Sequence, residues 1–177
     1  MMNTFIVLLR GINVGGHRKV PMAELRELLT KTGFEAVKTY IQSGNIVLNA
    51  AQEKSTIETN VKQAIASHFG FDVPVIAKTR AELKQIFDAC PFSEEKKENS
   101  YFVLLSKIPE SELVDEVMHI TYDNEIFQII NDCLYFYSSV GYGRTKFNMN
   151  AFEKKLNVKA TSRNFKTMVK LLSLSQN

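Results

Sequence analysis

Twice in this chain an unbroken apolar run of five residues, Phe5-Ile6-Val7-Leu8-Leu9 and then Tyr101-Phe102-Val103-Leu104-Leu105, opens a similar succession of elements. A strand that does not alternate apolar with polar residues is one buried on both faces. Each run is therefore expected at the centre of a sheet with other structure covering both sides. That requirement limits the architecture more than any other feature of the sequence.

After the first run, Pro21 stands where a helix would open, and Met22, Leu25, Leu28 and Leu29 fall on one helical face. Gly33-Phe34 reads as a glycine C-cap with its hydrophobic contact. Residues 37–42 and 45–48 read as a hairpin turning at Ser43-Gly44. Ser55-Thr56-Ile57-Glu58 has the form of a capping box, followed by the stripe Ile57, Val61, Ile65, Phe69 and a second closing pair, Gly70-Phe71. Residues 73–77 supply the last strand of a βαββαβ order, the ferredoxin-like arrangement.

Thr79-Arg80-Ala81-Glu82 caps a further helix, and the polar stretch 93–100 reads as the boundary between halves. Beyond it the order returns. A helix after Pro109 carries Leu113, Val117 and Met118, and a hairpin forms around Asn131-Asp132. A helix begins at Asn150 with Glu153 in the capping position, residues 159–161 form a short strand, and a terminal helix carries Phe165, Met168, Val169 and Leu172. Thr161 or Ser162 would cap that last helix. The expected fold is α+β, two tandem ferredoxin-like (alpha-beta plait) halves packed together as one cooperative body. Residues 1–78 form the first half, 79–99 a helix and polar linker, and 100–177 the second half with its extra C-terminal helix.

Composition excludes little beyond disorder: 45% hydrophobic and 23% charged residues suit a globular core. Charge is unevenly spread. Residues 94–125 carry nine acids against three lysines, and residues 141–170 eight bases against Glu153 alone. A basic C-terminal region suits an anionic partner, or is simply a solvated face. Cys90 and Cys133 are far apart without a CxxC partner and read as free thiols of a reducing compartment. No secretory leader pattern is visible and no apolar run approaches the roughly 18 residues of a membrane span, so a cytoplasmic protein is expected.

Three segments concentrate ligand-like chemistry. Arg10-Gly11-Ile12-Asn13-Val14-Gly15-Gly16-His17-Arg18-Lys19 joins a strand end to a helix start with three glycines and four bases. Glycines let backbone N–H groups converge on an oxygen-rich ligand, although the spacing matches neither the P-loop nor the dinucleotide fingerprint. Gln42, Ser43 and Asn45 could offer amides and a hydroxyl from the hairpin turn, or merely be good turn residues. Gly141-Tyr142-Gly143-Arg144-Thr145-Lys146 is a flexible basic loop, and Thr161-Ser162-Arg163-Asn164 would place Arg163 to clamp a phosphate or carboxylate.

No HExxH, CxxC or GxSxG pattern occurs, so neither a metal nor another cofactor is expected. His68 and His119 are scattered, and His17 alone lies in a candidate site. No catalytic residue can be assigned.

Leu8-Leu9-Arg10-Gly11-Ile12-Asn13-Val14-Gly15-Gly16, Thr39-Tyr40-Ile41-Gln42-Ser43-Gly44-Asn45 and the late Gly143-Arg144-Thr145-Lys146 with Thr161-Ser162-Arg163-Asn164 resemble, over essentially the whole chain, a widespread bacterial family known only as a conserved domain of unknown function. The resemblance implies paired alpha-beta plait halves in a cytosolic polypeptide and brings no activity, cofactor or catalytic residue with it.

The leading expectation is a small phosphate- or carboxylate-bearing ligand bound where the halves meet, by Arg10, Gly11, Asn13, Gly15, Gly16, His17, Gln42, Ser43, Asn45, Arg144, Lys146, Arg163 and Asn164. Two other classes compete with it. One is nucleic-acid binding through Lys154, Lys155, Lys159, Lys166 and Lys170, although Tyr135 and Tyr137 lack the RNA-recognition signature around them. The other is a protein-interaction module using the acidic residues of 110–125.

Overall fold

The computed structural model describes residues 1–176. Strand β1 (Asn3–Leu9) leads into α1 (Met22–Lys31), β2 (Glu35–Tyr40), β3 (Asn45–Ala50), α2 (Lys54–Phe69), β4 (Val75–Thr79) and α3 (Arg80–Asp88). After the short α4 (Glu94–Glu98) come β5 (Tyr101–Leu105), α5 (Ser111–Met118), β6 (Glu125–Ile130), β7 (Cys133–Ser138), a 3-10 turn (Tyr142–Arg144), α6 (Met149–Leu156), β8 (Ala160–Asn164) and α7 (Phe165–Leu174). The two antiparallel sheets have the strand orders β2-β3-β1-β4 and β6-β7-β5-β8. This is the ferredoxin-like order twice over, with each apolar run as a central strand.

The chain divides into two compact units, residues 1–84 with 170–177, and residues 85–169, so the division falls within α3 and α7. In the first unit Phe5, Val7 and Leu9 on one face of β1 meet Leu25 and Leu29 of α1 and Ile57, Val61 and Ile65 of α2. Ile6 and Leu8 on the opposite face are equally buried, as an unbroken apolar strand requires. In the second unit Val103 and Leu105 join Leu134, Phe136, Phe147 and Phe152. Three of those rings form a chain, with centroids 4.6 Å apart for Phe136–Phe147 and 4.8 Å for Phe147–Phe152.

Several termini differ from expectation. Ser55 does not open α2. The helix begins one residue earlier, after Glu53, without a side-chain cap, and Glu58 Oε1 instead accepts from the Ala77 backbone N–H of β4 at 2.8 Å. Asn148 rather than Asn150 caps α6, accepting from Ala151 N at 3.1 Å, while Glu153 Oε1 accepts from Ala160 N at 2.8 Å. In both cases a tertiary partner takes the glutamate that a local box would have used. Residues 161–164 lie in β8, so neither Thr161 nor Ser162 caps α7. Asn164 does so, accepting from Thr167 N at 2.9 Å. The inward stripe of α7 shifts accordingly to Met168 and Leu171, and Val169 is exposed. Met118 of α5 is exposed as well. The stretch 93–100 contains the helix α4. The box Thr79–Glu82 is as read: Glu82 N donates to Thr79 Oγ1 at 3.2 Å, and Thr79 N donates to Glu82 Oε2 at 2.8 Å.

Candidate functional site

The glycine-rich connection after β1 is an ordered finger. Ile12 and Val20 anchor its two ends in the core. Between them Asn13 N donates to Arg18 O at 3.1 Å and His17 N to Val14 O at 3.0 Å. Gly15 and Gly16, at φ 58° and 76°, make the tight turn, because a two-residue hairpin that follows strand twist needs positive φ at both positions. Asn13, itself at φ 54°, ties the finger down. Its Oδ1 accepts from Val20 N at 2.8 Å, and its Nδ2 donates to Val20 O at 3.0 Å and to Gln42 O at 2.8 Å. The first two sequence motifs therefore meet through one side chain.

The β2–β3 turn closes on β1 from the other side. Leu9 N donates to Gly44 O at 2.8 Å. A Cβ at Gly44 would stand 2.6 Å from Leu9 Cβ and 3.2 Å from its Cα, so only glycine fits there. Asn45 is fully buried, and its Nδ2 donates to Tyr40 O at 3.1 Å and Ser43 Oγ at 2.9 Å. It builds the turn from within and presents nothing to solvent, unlike Gln42 and Ser43, which are exposed. His17, Arg18 and Lys19 are exposed and Arg10 is half-buried. The Arg18 guanidinium lies over Gly11, 3.6 Å from where a Cβ would be.

The late candidates belong to the second unit and separate into two groups. Arg163 is a buried strand residue, 7% exposed, whose Nη1 donates to Thr161 Oγ1 at 2.7 Å and to Ser162 O at 2.8 Å. Burial lowers its pKa to about 10. It stands in β8 and not at the helix start that the local pattern suggests. In strand register it faces Phe102, on the same side of the sheet as Thr161. Asn164 is the exposed cap of α7 and lines one cavity with Gly141 and Tyr142. Arg144 is exposed at the end of the 3-10 turn. The Lys146 side chain is exposed too, and its backbone N–H donates to Glu125 Oε1 at 2.6 Å. Glu125 takes a role that no local pattern signals. The carboxylate is 7% exposed and fastens the basic loop, while its Oε2 meets no protein donor.

Other reactive groups are muted. Burial pushes the Cys90 thiol upward despite a backbone hydrogen bond at Phe92. Cys133 is buried. Burial also raises Tyr135 well above the ordinary phenol range, and its hydroxyl donates to Ile86 O at 2.6 Å, which makes it a core residue. His68 lies on the helix surface, 2.6 Å from Glu24 Oε1. Among the described residues no group of three or more His, Cys, Asp or Glu side chains is placed to hold a metal ion. No helix among them is long and apolar enough to cross a membrane.

Fold and loops together define a tandem ferredoxin-like protein with an ordered basic finger on its first sheet. Residues 2–135 match the family described as "Protein of unknown function (DUF1697)", and the chain belongs to that family. It is also similar in fold to a conserved bacterial protein, SP0830 from Streptococcus pneumoniae. The TM-score is 0.75 at 24% identity, covering 99% of this chain and 100% of the other. No curated protein matches the chain.

Proposed function

We propose that the protein binds the phosphate or carboxylate group of a small ligand on the finger and turn of its first unit. The observation that carries this reading is the Asn13 bridge, which fixes four bases, three glycines and the exposed Gln42 and Ser43 in one ordered assembly. No acid occurs in residues 10–20 or 37–45. The left-handed residues Gly11, Asn13, Gly15, Gly16 and Arg18 turn the backbone repeatedly, the type of geometry in which N–H groups gather around an anion. Arg10 and Arg18 supply guanidinium groups suited to bidentate contact with planar oxygens. The bound group meets this surface while the rest of the ligand extends away from it.

A thermal-shift panel of sugar phosphates, nucleotides and dicarboxylates tests the reading. A ligand at about 100 times its Kd stabilises by roughly 2.7 kcal/mol, a shift of several degrees for a protein of this size. Arg10→Ala and Arg18→Ala should each shrink the response without changing the unliganded melting temperature by more than a degree or two. A full response in both variants would remove the finger from consideration.

A further inference from the structure

The second unit contains a cavity of about 480 Å³ at the end of its sheet where β5 begins and β7 and β8 end. That volume falls in the range of roughly 300–1,000 Å³ usual for small-molecule sites. Three of the chain's six tyrosines, Tyr101, Tyr137 and Tyr142, line it. Tyr142 is carried on the 3-10 turn, entered through Gly141 at φ 84°. This turn brings its ring against that of Tyr101, with centroids 4.1 Å apart and planes 31° from parallel. Tyr142 remains 38% exposed even so, while Tyr137 is half-buried with Lys96 Nζ 5.6 Å from its ring centroid.

The structural account of Tyr142 is that it covers the core, since its ring meets the edge of Phe136 at 6.1 Å. Together with the Tyr101 stack it explains how the ring is held, yet the residue keeps a substantial exposed surface at the cavity. Neither contact explains why the rest of the wall is polar, with Ser138, Asn164 and the cation Lys166 around an open volume. Tyrosine rings that line an open volume beside hydroxyls and one cation match a planar ligand with a single anionic group. Stacking supplies affinity that tolerates many ring types, because every nucleobase has such a face. Glu98 also lines the cavity and opposes a longer polyanion, so one phosphate fits this charge pattern better than three.

We infer that this cavity binds a planar aromatic ligand with one phosphate, of the nucleoside monophosphate class. The ring stacks on the Tyr101–Tyr142 pair and the phosphate meets Lys166. The site is independent of the finger of the first unit.

Titration calorimetry with adenosine, guanosine and uridine 5′-monophosphates, with adenosine and inorganic phosphate as the two halves of the first, tests it. At least one monophosphate should bind saturably, the two purines more tightly than the pyrimidine. Tyr142→Ala should weaken nucleotide and nucleoside alike by about tenfold or more, whereas Tyr142→Phe stays within threefold of wild type. Lys166→Ala changes an exposed side chain, and should weaken adenosine monophosphate several-fold while leaving adenosine unchanged. Absence of saturable binding by all three monophosphates would overturn the inference. So would binding unmoved by both Tyr142→Ala and Lys166→Ala. Nucleotide binding lost in Arg18→Ala but intact in both of those variants would assign it to the finger instead, supporting the first reading and ending this one.

Discussion

Set side by side, the two halves follow one plan to a depth the residue types hide. Each runs βαββαβ and then enters a further helix with no connecting residue, α3 directly after β4 and α7 directly after β8. Each ties its second helix to its last strand through a glutamate, Glu58 to Ala77 N and Glu153 to Ala160 N, both at 2.8 Å. Each buries a cation in that last strand opposite the central one, Lys78 facing Ile6 and Arg163 facing Phe102. The halves part company in their connections. Between β1 and α1 the first half inserts residues 10–21, where the second needs only 106–110. Between β7 and α6 the second inserts residues 139–148, where the first needs only 51–53. The shared devices support the fold. The departures carry the candidate chemistry, the finger in one half and the Tyr142 turn in the other.

The largest test of that contrast lies in the hairpin turns. Gly44 and Asn131 both stand at positive φ, 86° and 52°, and at Gly44 an added Cβ would also press against Leu9 of β1, whereas alanine at 131 adds no atom. Gly44→Ala adds a clash with Leu9 to left-handed strain and should cost about 2–4 kcal/mol. Asn131→Ala carries only the strain and should cost about 1 kcal/mol. Urea midpoints decide this, and equal costs would mean that the first turn is no more constrained than the second. Next in size comes Asn13→Ala, which leaves Val20 N and two carbonyls without their partner and should cost about 1–3 kcal/mol. Hydrogen exchange at the Val20 amide should rise together with the loss of stability. Protection retained there would mean that the finger orders itself without Asn13.

How much of this the sequence disclosed follows from the range of each interaction. The two apolar runs, the stripes of α1 and α2, the glycine closures and the Thr79–Glu82 box depend on residues close together in the chain, and they read correctly. Ser55–Glu58 misled because Glu58 serves a strand 19 residues away, a partner that local pattern cannot show. Arg163 misled for a related reason. Thr161-Ser162-Arg163-Asn164 reads as a helix start, whereas register with β5 places Arg163 in a strand and on a buried face. In the candidate segments the sequence shows which residue types cluster but not their geometry. Asn13 stood among the proposed ligand residues, yet its bridge to Gln42 depends on a left-handed backbone at that one position. The pairing of Tyr101 with Tyr142 depends on where a glycine-opened turn lands across the sheet.

The smallest expected effects come from the two helix caps, which occupy equivalent places and differ in whether they titrate. Thr79→Ala and Asn164→Ala should each cost about 1 kcal/mol at neutral pH. In the first cap the partner at the third helical position is Glu82. Partial burial would raise its pKa, but hydrogen bonds from Lys54 and from the Thr79 backbone outweigh that and hold the carboxyl below its ordinary 4.5. A group whose folded pKa is depressed contributes stability fully above its unfolded value and loses it as pH falls through the folded one. The cost of Glu82→Gln should therefore be greatest at neutral pH and shrink below pH 4.5. Asn164 accepts from Thr167 N through an amide oxygen that does not titrate, so the cost of Asn164→Ala should stay level across the same range. Urea unfolding of both variants and wild type at neutral and acidic pH measures the difference. A Glu82→Gln cost that stays level across that range would show that the carboxylate at the first cap contributes nothing an amide does not.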